Sequence, residues 1–349
     1  MNEPARAPSA APPADPTPAA SLAPIAITLG DACGIGPEIV LKAFAAGLPA
    51  PCVVVGDTAL LAREAARLGL ALEVRHASED CPSASAASVP VIDAARLPAD
   101  LQAGRLDPRA GEAAFRCIER AARMALRGEA RAVVTAPISK EALHRAGHRY
   151  PGHTELLAEL AGGVPVRMML ANDELRTVLV TIHLALRDAL DALSEDGIVE
   201  TIEITDRALR RAGIAAPRIA VAGVNPHAGE GGAFGREEIG IVEPAVRRAR
   251  ALGIDARGPF APDTVFMRAR GFAEFDVVIA MYHDQGLIPV KYLGLDAGVN
   301  ITVGLPFVRT SPDHGTAFDI AGRPGPDGRG LADPRSLLAA IAQADRLAR

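Results

Sequence analysis

The 349-residue chain has no tryptophan, three tyrosines, four cysteines and a net charge of -5. Cys33, Cys52, Cys81 and Cys117 form no CxxC pair, which argues against a thiolate zinc site and a disulfide framework and fits a reducing cytoplasm. No stretch reaches the roughly 18 to 20 uncharged apolar residues that a membrane helix needs, so no membrane span is expected. Without a Lys/Arg block or aromatic-basic interleaving, nucleic acid is not an expected partner. The first twenty residues lack the basic start and apolar core of a secretory signal. Lysine is also scarce: of 37 basic residues only Lys42, Lys140 and Lys291 are lysine. In a chain so rich in arginine, each lysine hints at a role that suits a compact ammonium.

What is present is the composition of a folded protein, 49% hydrophobic and 23% charged, with a length expected to make about two domains. Residues 1–23 are rich in Ala and Pro without apolar periodicity and are expected to form a disordered extension. A second low-complexity stretch, 77–89, reads as a loop. Beyond residue 24, short β-branched runs alternate with helical segments, the pattern of an α/β protein with a largely parallel sheet. Strands are expected at 25–29, 52–55, 132–135, 177–182, 218–224 and 276–281. Helices are expected at 58–68, 109–127, 155–160, 237–252 and 333–347.

In open α/β sheets ligands bind where strand carboxyl ends meet helix N-termini. His183, His227 and His283, three of the eight histidines, each follow a predicted strand end closely. Imidazoles from three strand ends, with Asp284 nearby, suit a catalytic divalent metal, although satisfying backbone groups is their alternative role. The glycine-rich run 227–235 allows close backbone approach to a ligand, yet neither it nor 30–38 fits GxGxxG. Cofactor-binding residues are therefore unassigned. Lys291 and Arg309, expected in loops beyond the His283 strand, and His153-Thr154 at a helix start could together hold a phosphate.

Six motifs taken together resemble the 4-hydroxythreonine-4-phosphate dehydrogenase (PdxA-like) family. They are Gly30-Asp31 with Gly34-Ile35-Gly36-Pro37-Glu38, Gly152-His153-Thr154-Glu155, Thr181-Ile182-His183-Leu184, Asn225 to Gly232, Met281-Tyr282-His283-Asp284-Gln285-Gly286, and Gly298 to Thr302 with Asp313 to Ala317. The resemblance covers nearly everything after residue 24. It implies a two-domain α/β/α fold like that of isocitrate and isopropylmalate dehydrogenases, with the active site in the interdomain cleft. The domains would be 24–150 plus 300–349, and 151–299, the second carrying the metal ligands.

The resemblance also implies a homodimer with composite sites, a divalent metal (Zn, Mg or Co) and NAD or NADP. By residue, it makes His183, His227 and His283 metal ligands, and His153, Thr154, Lys291, Asn300 and Arg309 substrate contacts. Asp263 and Asp284 become carboxylates near the metal. The implied reaction oxidises 4-phosphohydroxy-L-threonine to a 3-oxo acid that decarboxylates to 3-amino-2-oxopropyl phosphate, in pyridoxal phosphate (vitamin B6) biosynthesis. Asp284, a metal-bound water or Lys140 are candidates to take the hydroxyl proton. The chain departs from the family at Ala32-Cys33, where Pro-Ala is common. Sister enzymes oxidise 4-phosphothreonate or phosphoerythronate, which share the phosphate, or a cyclic diol carboxylate, which does not. A non-catalytic metabolite binder and a phosphotransacetylase-like acyltransferase are the readings from other classes.

Overall fold

The structure is a computed structural model that describes residues 23–77, 87–294, 298–326 and 328–349. The expected N-terminal extension, apart from Ala23, and residues 78–86 of the expected loop lie outside the described residues.

The strands are β1 (Ile25–Thr28), β2 (Cys52–Gly56), β3 (Glu73–His76), β4 (Ser88–Asp93), β5 (Ala132–Thr135), β6 (Arg167–Ala171), β7 (Arg176–Leu179), β8 (Ile219–Ala222), β9 (Ala256–Phe260), β10 (Val277–Ala280), β11 (Val299–Val303) and β12 (Val308–Pro312). The helices are α1 (Gly36–Ala46), α2 (Thr58–Arg67), α3 (Pro108–Leu126), α4 (Lys140–Arg145), α5 (His153–Leu160), α6 (Leu186–Asp191), α7 (Glu195–Arg211), α8 (Glu243–Ala251), α9 (Val265–Ala269), α10 (His283–Tyr292) and α11 (Arg335–Leu347). The expected strands are all present; those at 25–29, 177–182, 218–224 and 276–281 end earlier than expected, and the expected helix at 237–252 is a π-helical turn over Glu238–Val242 followed by α8.

All twelve strands form one sheet in the order β3-β4-β2-β1-β5-β12-β11-β6-β7-β10-β8-β9. Its two flanks are parallel, as the fully buried runs Ile25–Thr28 and Val277–Ala280 suggest for strands covered on both faces. Between the flanks lie three antiparallel pairings, β12–β11, β11–β6 and β6–β7. Three reversals is an odd number, so the flanks run in opposite senses. The middle strands carry the functional cleft.

Helix ends follow local chemistry. Asp57, Ser139 and Ser194 each accept a backbone N–H from the first turn of α2, α4 and α7. Helix α3 buries Ala110, Ala114, Cys117, Ile118 and Ala121, an i, i+3, i+4 stripe set against the sheet. A Cβ at Gly111 would collide with the Ala142 carbonyl, so only glycine permits the close α3–α4 approach. Lys42 acts structurally, since its ammonium pairs with the buried Glu38 at 2.8 Å and donates to the carbonyls of Gly330 and Ala332. The pairing ties α1 to the segment leading into α11. Among the described residues no helix is long and apolar enough to cross a membrane.

Candidate active site

A cleft of about 400 Å³ opens over the middle strands. Eight of the eleven residues singled out from the sequence line it: Lys140, His153, Thr154, His183, His283, Lys291, Asn300 and Arg309. They come from α4, α5, β11, β12, α10 and the turn after β7, so sequence separations of up to 169 residues close into one site.

The wall bearing Lys140 is set by the turn after β1. Gly30 has φ +74°, and a Cβ there would come within 2.5 Å of the Pro137 carbonyl. The Asp31 N–H donates to that carbonyl at 2.8 Å. The Asp31 side chain is fully buried; Oδ1 accepts from Cys33 N–H at 2.8 Å, and Oδ2 has no partner. Burial pushes this carboxyl up to about 6, against the Cys33 and Ser139 amides. The Ala32-Cys33 departure thus lies in a packed turn beneath the cleft wall, with Cys33 buried.

Arg309 and Lys291 are not in loops. Arg309 is on β12, and Lys291 is in the last turn of α10. The buried Arg309 guanidinium donates to Thr302 Oγ1 at 3.0 Å and Thr135 Oγ1 at 2.6 Å, which fixes its plane while Nε has no partner. Burial lowers it to about 10, opposed by the nearby Glu155 carboxylate. Lys291 Nζ sits 2.8 Å from Asp313 Oδ2.

Helix α5 is anchored by fully buried Leu156 and Leu157 against Ile118, Ala122 and Leu305, worth about 1.5–3 kcal/mol per leucine. Its first turn therefore faces the cleft. His153 is held well below its usual value by burial, then by Arg309 and Lys140, which keeps it neutral. His153 Nε2, Asn300 Oδ1 and Arg309 Nε are all buried and unpartnered. Such atoms carry a desolvation cost that a polar ligand would relieve.

Three predicted site residues lie outside this cleft. Asp284 is largely exposed, and its Oδ1 is 2.7 Å from His283 Nδ1, where it can orient that ring. Asp263 is exposed between β9 and α9. His227 is exposed beside Phe234, with ring centroids 6.1 Å apart. It begins a run with left-handed φ through His227, Ala228, Gly229, Glu230 and Gly231. At non-glycine positions that conformation costs on the order of 1–3 kcal/mol each, a sign of an imposed shape. Just before the run, buried Glu238 holds the strand end, with Oε1 accepting the Val224 and Asn225 amides at 2.7 Å each.

A resident metal would fit these positions only in part. The His183 and His283 rings lie 5.7 Å apart at 42°, and His183 itself has φ +51°. Among the described residues, however, no group of three His, Cys, Asp or Glu side chains is placed to hold one ion. Of the three histidines, His183 and His283 are the two whose rings approach each other in the chain.

Sequence patterns do not single out Thr135, which with Thr302 orients Arg309, and the motif that contains Thr302 and Asp313 gives neither the role of orienting Arg309 or pairing with Lys291. Glu155 belongs to the Gly-His-Thr-Glu motif, yet the motif alone gives it no role. Glu155 also lines the cleft.

The family model for pyridoxal phosphate biosynthetic protein PdxA matches residues 48–344. The chain belongs to the PdxA family. Among PdxA relatives, the 4-hydroxythreonine-4-phosphate dehydrogenase of Beijerinckia indica is 52% identical over 332 residues, covering 93% of this chain and 95% of its own. The D-threonate 4-phosphate dehydrogenase of Salmonella typhimurium is 52% identical over 303 residues, covering 85% and 92%. The crystal structure of 4-hydroxythreonine-4-phosphate dehydrogenase from Klebsiella pneumoniae superposes with a TM-score of 0.86 at 49% identity, covering 93% of this chain and 99% of that one. The twelve-stranded α/β architecture is thus that of a solved PdxA-type dehydrogenase.

Proposed function

We propose that this PdxA protein oxidises the C3 hydroxyl of 4-phosphohydroxy-L-threonine, passing hydride to NAD or NADP. The resulting 3-oxo acid loses carbon dioxide to give 3-amino-2-oxopropyl phosphate, a step of pyridoxal phosphate synthesis. The observation that carries this reading is the cleft itself, in which cationic Arg309, Lys291 and Lys140 face the His183–His283 pair. A phosphorylated hydroxy acid has a matching layout, with a dianion at one end and the reacting hydroxyl next to it.

In this reading Arg309, with its plane fixed by two threonines, and Lys291 hold the phosphate. Neutral His153, Thr154 and Asn300 complete the polar lining. The half-site of His183 and His283 calls for a second copy of the chain to complete a divalent metal site with Zn, Mg or Co. Exposed Leu184, Leu186, Ile288 and Tyr292 border that end and form the apolar face such a homodimer would cover. When bound, the ion would stabilise charge developing on the hydroxyl oxygen.

D-threonate 4-phosphate is the second reading, supported by the Salmonella relative. Nicotinamide absorbance, followed with NAD and NADP against both phosphorylated acids, separates the two. A higher kcat/KM for 4-phosphohydroxy-L-threonine is expected; reduction with D-threonate 4-phosphate alone would overturn the main reading.

A further inference from the structure

Glu155 stands in the third position of α5, where its neighbours Leu156 and Leu157 are locked into the core and its own side chain reaches the cleft. It has no hydrogen bond or ion pair with any described residue. A Cβ on Gly152 would lie 3.5 Å from Glu155 Oε2 and 3.8 Å from Lys140 Cε, so the carboxylate and the lysine stem flank one glycine. The titratable and charged groups that line the cleft with it are Lys140 from α4, His183 from the turn after β7, His283 and Lys291 from α10, Arg309 from β12, Asp313 and His314 beyond it, and His153 on its own helix. Lys291 is already paired with Asp313.

An unpaired carboxylate is out of place in a site built for phosphate, which it repels. Stabilising the α5 dipole does not require the side chain to face the cleft. Its location between two ends of the site is more informative. Glu155 lines the same cleft as Arg309, at the proposed phosphate end, and His183, at the proposed reacting end. In a 4-phospho-3-hydroxy acid only one carbon separates the phosphate ester oxygen from the carbon to be oxidised, so the C3 hydroxyl falls between those two groups.

We propose that Glu155 is the catalytic residue that accepts the hydroxyl proton as the substrate carbon gives up its hydride. The assignment rests on the oxidation proposed above. In the step, the C3–H bond breaks and its electron pair reduces the nicotinamide ring. The O–H bond breaks with its proton passing to the Glu155 carboxylate, and the C3–O bond becomes a carbonyl. The protonated carboxyl then returns its proton to water through the open cleft.

The test compares full-length wild type, Glu155→Gln and Glu155→Asp with 4-phosphohydroxy-L-threonine, D-threonate 4-phosphate and the preferred nicotinamide cofactor. Glu155→Gln should lower kcat by about 10²- to 10³-fold with little change in KM, and the acid limb of the kcat profile should disappear. Glu155→Asp should recover part of the rate and keep a displaced acid limb, which guards against a Gln variant that misfolds. A Gln variant with kcat close to wild type, or a loss confined to KM, overturns the assignment while leaving the proposed oxidation intact. A wild-type enzyme that reduces no cofactor with either acid overturns the oxidation itself and Glu155's role with it.

Discussion

Lys291 Nζ and Asp313 Oδ2 meet at 2.8 Å across the cleft mouth, joining the last turn of α10 to the segment that follows β12. The ammonium that should bind the substrate phosphate is therefore held in place by a carboxylate before any substrate arrives.

That arrangement makes Lys291→Ala a sharp test. Charge-assisted hydrogen bonds to phosphate are worth roughly 1.5–3 kcal/mol, so kcat/KM for the phosphorylated acid should fall by about one to two orders of magnitude. The same mutation should scarcely affect the poor activity on the unphosphorylated acid. Equal losses on both substrates would move Lys291 away from the phosphate.

Arg309 sets function against stability. Its guanidinium is buried between two threonine hydroxyls with no carboxylate in salt-bridge contact among the described residues. Replacing a buried charge with an apolar side chain of similar volume is often neutral or stabilising. Arg309→Met should hold or raise Tm while abolishing use of the phosphorylated substrate. A large fall in Tm would make Arg309 chiefly structural.

The pH dependence of stability should carry a signature of Asp31. Its carboxyl is raised from 3.8 to about 6, so the folded state holds the proton more tightly than the unfolded one. Its contribution is present in full below pH 3.8 and is lost as pH rises through about 6. The shift corresponds to about 3 kcal/mol. Asp31→Asn should therefore raise Tm at pH 8, with a gain that shrinks towards pH 4. Thermal melts across that range check the sign, and a pH-independent difference would contradict it.

Metal dependence and assembly should fail together. If a second copy completes the site, His183→Ala and His283→Ala should each weaken divalent-ion binding, by about 10²-fold, measured by ion titration. A polar substitution of the exposed Ile288 should weaken both dimerisation in sedimentation and ion binding. Full ion affinity in a sedimenting monomer would show that one chain suffices.

Much of this site is legible in the sequence because its residues follow strand ends or open helices, positions that periodicity locates without distances. The strand ends themselves are not. Val180 and Thr181 still donate backbone hydrogen bonds to Ala280 and Met281 beyond β7, so apolar character outlasts the regular strand. Strand β12 escapes notice because Arg309, Thr310 and Ser311 are buried polar residues, and their burial depends on tertiary partners. His227 stands outside the cleft in a left-handed turn that follows Val224 and Asn225, whose amides Glu238 holds from thirteen and fourteen residues further on, contacts that no pattern announces. Lysine scarcity is a partial guide: Lys140 and Lys291 line the cleft, whereas Lys42 ties down a loop.

The sheet order also dictates when the site can come into being during synthesis. Strands β6 to β11 find all their neighbours but one within a contiguous stretch, 167–303. The other flank, β1 to β5, waits for β12, which inserts between β5 and β11 and follows the other eleven described strands in chain order. Arg309 arrives with it. A nascent chain arrested before residue 308 would hold His183, His283 and Lys140 but lack Arg309 and the strand that joins the two flanks of the sheet.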